Sequence, residues 1–293
     1  MIEKKIYELT ASNDKKFVVG ICKKSIVNDM YEMKIWDGTT MNETSSLFVC
    51  VDLGGSRYAI SNDGQYVATA QCEDYEDGTI YVYMVESGKN IFRNQSLKRI
   101  QWVMFEDNKT LMVGTEDSGI FIFDIISGVC KNKIKAKKVY FNKFGDNILL
   151  LNKNKIRYGK YTFKSSTFAY LCAIGTPNGI LVSEVNGDLF YYGNDGILRW
   201  KTDCLDLGHV ISIYYDEKRN RVYGILLNPR KKGEDRMHLI VLSEVSGDII
   251  VVNSIETANY VFVENSKAVS LVNGTGGIYT FNDDCLERTK FIT

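Results

Sequence analysis

The stretch Ser61-Asn62-Asp63-Gly64-Gln65-Tyr66-Val67-Ala68-Thr69-Ala70 decides the fold, because it recurs along the chain. It joins a polar turn to an apolar strand. Ser12-Asn13-Asp14-Lys15-Lys16-Phe17-Val18-Val19-Gly20-Ile21-Cys22 has the same order, with Cys22 matching Cys72 once Gln71 is allowed for. Further copies begin at Glu106, Lys143, Thr176, Asp216 and Glu264 and run to Gly114, Leu151, Val182, Leu226 and Val272. The seven copies lie about 42 residues apart, the period of a four-stranded propeller blade.

A second element keeps step with the first. After each copy comes an alternating aromatic and aliphatic strand, often closed by a glycine turn. Gly78-Thr79-Ile80-Tyr81-Val82-Tyr83-Met84 precedes Ser87-Gly88, and Gly119-Ile120-Phe121-Ile122-Phe123-Asp124 precedes Ser127-Gly128. In the first repeat this position reads Met33-Lys34-Ile35-Trp36-Asp37-Gly38. A β-sandwich also explains short strands at regular spacing, but not a turn-strand-strand-turn unit that returns seven times.

The unit resembles the second and third strands of a WD40-type blade, and Trp36-Asp37 is a literal copy of that family's dipeptide. Gly196-Ile197-Leu198-Arg199-Trp200 is similar to quinoprotein-like propeller repeats. The resemblance covers essentially the whole chain. It departs from the family in lacking the Gly-His element and in a degenerate fourth repeat. It implies an all-β fold: a single seven-bladed β-propeller of four-stranded antiparallel blades, one domain over 1–293. One rim of such a propeller is built from the loops joining second to third strands. The first repeat begins near Met1 and the last ends at Thr293, which predicts that no strand is exchanged between the ends.

Composition narrows the function classes. Lys+Arg and Asp+Glu are both 36, so bulk positive charge is not available for nucleic-acid binding. The N-terminal lysines are followed by no apolar stretch of signal-peptide length, and no apolar run approaches a membrane span. Seven cysteines, an odd number without a CxxC pair, point to reduced thiols and a cytoplasmic setting. Without secretion the N-x-S/T triplets at Asn42, Asn94, Asn108 and Asn273 carry no meaning.

Catalytic chemistry is sparse. The two histidines, His209 and His238, occupy different repeat positions and read as surface or strand-end residues. Glu86-Ser87-Gly88-Lys89 lacks the spacing of a phosphate loop and reads as a hairpin turn, as does Gly274-Thr275-Gly276-Gly277. Glu73-Asp74-Tyr75-Glu76-Asp77-Gly78 fails the EF-hand spacing. Cys22, Cys72 and Cys172 lie in apolar strands, where a thiol behaves as a small hydrophobe. No enzyme, metal or cofactor is expected.

The second-to-third-strand loops are unequal. The first is long, Lys23 to Asp29; the second holds the acidic run Glu73, Asp74, Tyr75, Glu76 and Asp77; the third adds Glu116 and Asp117. The fourth carries Lys153 and Lys155, and the sixth runs from Asn228 to Arg236 with Arg230, Lys231 and Lys232. On one rim, the acidic loops and the basic loop would steer a charge-complementary protein. Lys131, Lys133, Lys135, Lys137 and Lys138 alternate with other residues and read as a charged outer edge strand. The expected function is a non-catalytic interaction module, such as an inhibitor or immunity-type protein. The alternatives are an enzyme or small-ligand propeller using its central channel, quinoprotein-like or lactonase-like, and RNA binding through Arg230-Lys231-Lys232.

Overall fold

The computed structural model describes residues 6–24, 30–51, 57–73, 77–135, 140–144, 147–152, 155–164, 169–255, 260–264, 269–273, 277–282 and 285–291. Within them lie 28 strands and one short 3-10 helix, Gly233–Arg236. The strands form seven four-stranded sheets, each an antiparallel meander of four consecutive strands. Sheet 1 comprises Glu8–Ala11, Phe17–Lys24, Tyr31–Asp37 and Glu43–Val49. Sheet 2 runs from Tyr58 to Lys98, sheet 3 from Ile100 to Ile134, and sheet 4 from Tyr140 to Lys164. Sheets 5, 6 and 7 run from Tyr170 to Asp203, His209 to Ser254 and Tyr260 to Phe291. Among the described residues the first and last sheets exchange no strand.

The chain divides into two compact units. One comprises Met1–Lys138, Asn259–Asn282 and Glu287–Thr293; the other comprises Val139–Ala258 and Asp283–Leu286.

Burial falls from the second strand to the fourth within a sheet, and this explains the sequence pattern. In sheet 3 the second strand, Thr110–Thr115, is buried at every residue. The third, Gly119–Asp124, is buried or half-buried throughout, and the fourth, Cys130–Ile134, is exposed at four of its five residues. A strand covered on both faces needs an uninterrupted apolar run, whereas an outer strand does not. The outer strand carries Lys131, which pairs with Asp124 at 2.8 Å, and Lys133, which lies over the Phe121 ring. These lysines are on an edge strand, as the alternation predicted; 136–139, with Lys137 and Lys138, lie outside the described residues.

The apolar core lies between successive sheets. In the first unit, Val19, Ile21, Met33 and Ile35 of sheet 1 pack with Tyr58, Ile60 and Val67 of sheet 2. The other face of sheet 2, with Ala68, Ile80, Val82 and Phe92, packs on Val103, Leu111, Val113 and Phe123 of sheet 3. In the second unit, Ile156 and Phe163 of sheet 4 meet Ile180 and Val182 of sheet 5. Leu181, Leu189 and Trp200 of sheet 5 meet Val210, Val222 and Ile240 of sheet 6. A meander hydrophobic on both faces is stable only when neighbours cover both.

Candidate functional site

The chain leaves each sheet's fourth strand and enters the next sheet at the end where the second-to-third-strand loops lie. The register shows this in sheet 3, where Thr115 pairs with Ile100, so that the entering residue Arg99 sits beside the loop 116–118. The Glu116 backbone N–H donates to the Arg99 carbonyl at 3.0 Å. The Arg99 guanidinium reaches Asp117 at 3.0 Å and Glu116 at 3.8 Å. Arg99 holds a left-handed backbone, φ 50°, which is costly for a residue with a Cβ and marks a position fixed by its surroundings. With Arg57, Cys72, Ile100, Gln101 and Glu116 it lines a cleft of ≈ 240 Å³ at the junction of sheets 2 and 3. Glu116 and Asp117 therefore do not form an unopposed acidic patch: the arginine supplied by the entering connection answers both.

Of the neighbouring acidic run, Asp74, Tyr75 and Glu76 lie outside the described residues. Glu73 ends the second strand of sheet 2, Asp77 begins the third, and the two pair with each other in register. The first loop (25–29), Lys153 and 274–276 also lie outside the described residues.

The basic loop of sheet 6 belongs to the second unit. Asn228 is buried and fastens its start. The side-chain Nδ2 donates to the Asp206 carbonyl at 3.3 Å, and Oδ1 accepts the Arg230 N–H at 3.1 Å. The Asn228 N–H closes the loop on the Arg236 carbonyl at 2.8 Å. Asp206 lies in the connection entering sheet 6, so the loop leans on its incoming chain just as Glu116 leans on Arg99. Arg230, Lys231 and Lys232 are all exposed.

A second site was not legible in the sequence. At the opposite end of sheets 5 and 6, where first-to-second and third-to-fourth turns lie, is an open cleft of ≈ 550 Å³. It is lined by Asn178, Tyr191, Asn194, Asp195, Arg199, Glu244 and Val245. Glu244 is 5% exposed, although it occupies a turn. Its Oε1 accepts the Tyr191 hydroxyl at 2.8 Å and Asn178 Nδ2 at 3.5 Å, and its Oε2 accepts the Tyr215 hydroxyl at 3.0 Å. Its backbone carbonyl accepts Trp200 Nε1 at 2.6 Å. Burial, and then the carboxylate beside it, push the Tyr191 hydroxyl up to about 12, so it remains a donor at neutral pH.

The remaining candidates take structural places. His209 opens the first strand of sheet 6 and His238 is the second residue of its third strand. Each ring is half-buried, with Nδ1 enclosed and without a hydrogen-bond partner among the described residues. Ser87 and Gly88 form the turn between the third and fourth strands of sheet 2, Gly88 at φ 65°. Cys22, Cys50, Cys72, Cys130, Cys172 and Cys204 form no disulfide among the described residues. Burial pushes Cys172 and Cys204 up to about 12, which keeps them protonated and unreactive at neutral pH. Among the described residues no three His, Cys, Asp or Glu converge as metal ligands, and no helix is long and apolar enough to cross a membrane.

No protein-family model matches the chain, and no curated protein matches it in sequence. Solved structures do share its fold. The computationally designed Ika8 protein superposes with a TM-score of 0.62 at 17% identity, covering 98% of this chain and 86% of that one. The C-terminal WD40 domain of Sif2 superposes with a TM-score of 0.62 at 12% identity, covering 90% of this chain and 77% of that one. At such identities the likeness speaks for the fold. The chain is an all-β, WD40-like propeller with four-stranded antiparallel blades.

Proposed function

We propose that the seven sheets are the blades of a single propeller over 1–293 and that the protein is a non-catalytic module binding a protein partner. The binding rim is built from the second-to-third-strand loops together with the connections that enter each blade. The observation that carries this reading is the loop 228–236. Its backbone is fastened by Asn228, yet it presents Arg230, Lys231 and Lys232 to water. A loop ordered before binding loses little conformational entropy when a partner docks. Its charge selects an acidic surface and speeds encounter with it. Stoichiometric occlusion of such a surface is the action of an inhibitor or immunity-type protein, and the odd count of seven cysteines suits a reducing cytoplasm.

The test is affinity capture from native lysate, followed by titration of the captured protein against purified variants. The triple reversal Arg230→Glu, Lys231→Glu and Lys232→Glu should abolish a near-stoichiometric interaction that wild type retains at low salt. Glu116→Lys with Asp117→Lys should weaken it less, because Arg99 already opposes those two charges. Retention indifferent to both sets of reversals would overturn the rim.

A further inference from the structure

We propose that the cleft between sheets 5 and 6 binds the ammonium or guanidinium group of a cationic ligand, with Glu244 as its counter-ion. This site is separate from the loop rim and does not depend on it. A buried carboxylate is costly unless its charge is answered. The side-chain donors to the Glu244 carboxylate are all neutral: the two phenols, Tyr191 and Tyr215, and the Asn178 amide, which at 3.5 Å is a weak bond. Among the described residues no cation pairs with it. Arg199, the cation on the cleft wall, is engaged with Asp195 at 2.5 Å.

The lining charges confirm the sign. Asp195 and Arg199 cancel, and Glu244 leaves the wall with one net negative charge. A carboxylate accepts up to about four hydrogen bonds, and Glu244 takes three, so acceptor capacity remains. The Tyr191 face and the Asn178 and Asn194 amides give an alkyl stem and its polar flanks somewhere to lie. One chemistry answers all of these features: a small cationic head on an aliphatic stem. A free diamine or guanidino compound supplies it, and so does a lysine or arginine side chain of another protein.

The test is calorimetric titration of the full chain with agmatine, n-butylamine, a short arginine-containing acetylated peptide, and 1-butanol as the uncharged control. Saturable binding of the cations and none of butanol is expected. Glu244→Gln keeps the acceptor for Tyr191 and removes the charge; it should weaken binding by about tenfold or more. Val245 stands at the mouth and is 81% exposed. Val245→Lys should weaken binding comparably while leaving the buried network intact, and it carries the test if Glu244→Gln does not fold. Equal affinity per cationic group for agmatine and the peptide would identify a free small cation as the ligand, and preference for the peptide would identify a partner's side chain. Cations that bind no better than butanol, or equally well to both variants, would overturn the proposal.

Discussion

The backbone N–H of Asp63 donates to the side-chain Oδ1 of Asn108 at 3.1 Å, and one sheet earlier the N–H of Asp14 donates to Oδ1 of Asn62 at 3.3 Å. In sheets 1 and 2 the first-to-second turn is thus latched by an asparagine on the corresponding turn of the next sheet. Asn108→Ala removes one latch and should lower the unfolding free energy by about 1 kcal/mol, read as a reduced urea midpoint at unchanged slope. An unmoved midpoint would show that water replaces the bond without loss.

Gly114 faces Trp102 across the first and second strands of sheet 3. A Cβ there would stand 2.1 Å from Trp102 Cε2. Gly114→Ala must displace the indole, and overpacking of this kind costs about 1–3 kcal/mol. A shift in tryptophan emission should accompany the lowered stability. A stable variant with wild-type emission would contradict the close approach.

Three of these turns place one residue in the left-handed region: Lys15 at φ 61°, Gly64 at φ 71° and Asn220 at φ 51°. Glycine and asparagine tolerate it, and lysine does not. Lys15→Gly should therefore stabilise the protein by about 1 kcal/mol. Lys16→Gly, next in the turn but without this strain, should not; it also loses the contact with Asp14 at 3.0 Å. Equal effects of the two substitutions would refute the strain.

Asp107 accepts the N–H groups of Lys109 and Thr110, each at 2.8 Å. Burial acts to raise its pKa, but those bonds outweigh it and hold the carboxyl below its ordinary 3.8. The unfolded chain therefore takes up this proton first on acidification. The stability contributed is complete above the unfolded pKa and is lost as pH falls through the lowered folded value. Asp107→Asn keeps the acceptor and removes the titration, so its stability should fall less steeply with acid below about pH 4. A parallel acid limb would disprove the assignment.

Asn228 tests preorganisation apart from charge. Asn228→Ala leaves Arg230, Lys231 and Lys232 in place but releases the loop from Asp206. Faster amide exchange at Arg230 and several-fold weaker partner binding are expected, at a stability cost of about 1–2 kcal/mol. Unchanged affinity beside faster exchange would show that loop order contributes nothing to binding.

The turn and second-strand pairs were legible because a strand such as Thr110–Thr115 is buried throughout and its sequence is correspondingly apolar. First strands such as Ile100–Phe105 alternate between buried and exposed and blur into their connections. The loop position of Glu116 and Asp117 was legible too, but their pairing with Arg99 was not. Arg99 precedes Asp117 by 18 residues, in a connection with no pattern of its own. Glu244 was hidden for the same reason. In Ser243-Glu244-Val245-Ser246-Gly247 it reads as a solvated turn, and its burial comes from Tyr215 and Trp200, 29 and 44 residues earlier.

Each sheet consists of four consecutive strands, and sheet 2 has its apolar faces covered by the sheets before and after it. On the ribosome this becomes a matter of timing. Hairpins close within about 10 μs, so every sheet is complete as soon as its last strand emerges. The face awaiting the next sheet then stays open for the roughly 2 to 8 s needed to synthesise about 42 more residues. The sticky species in this protein's life is an unfinished chain carrying one naked sheet, and a pause in translation lengthens that exposure directly.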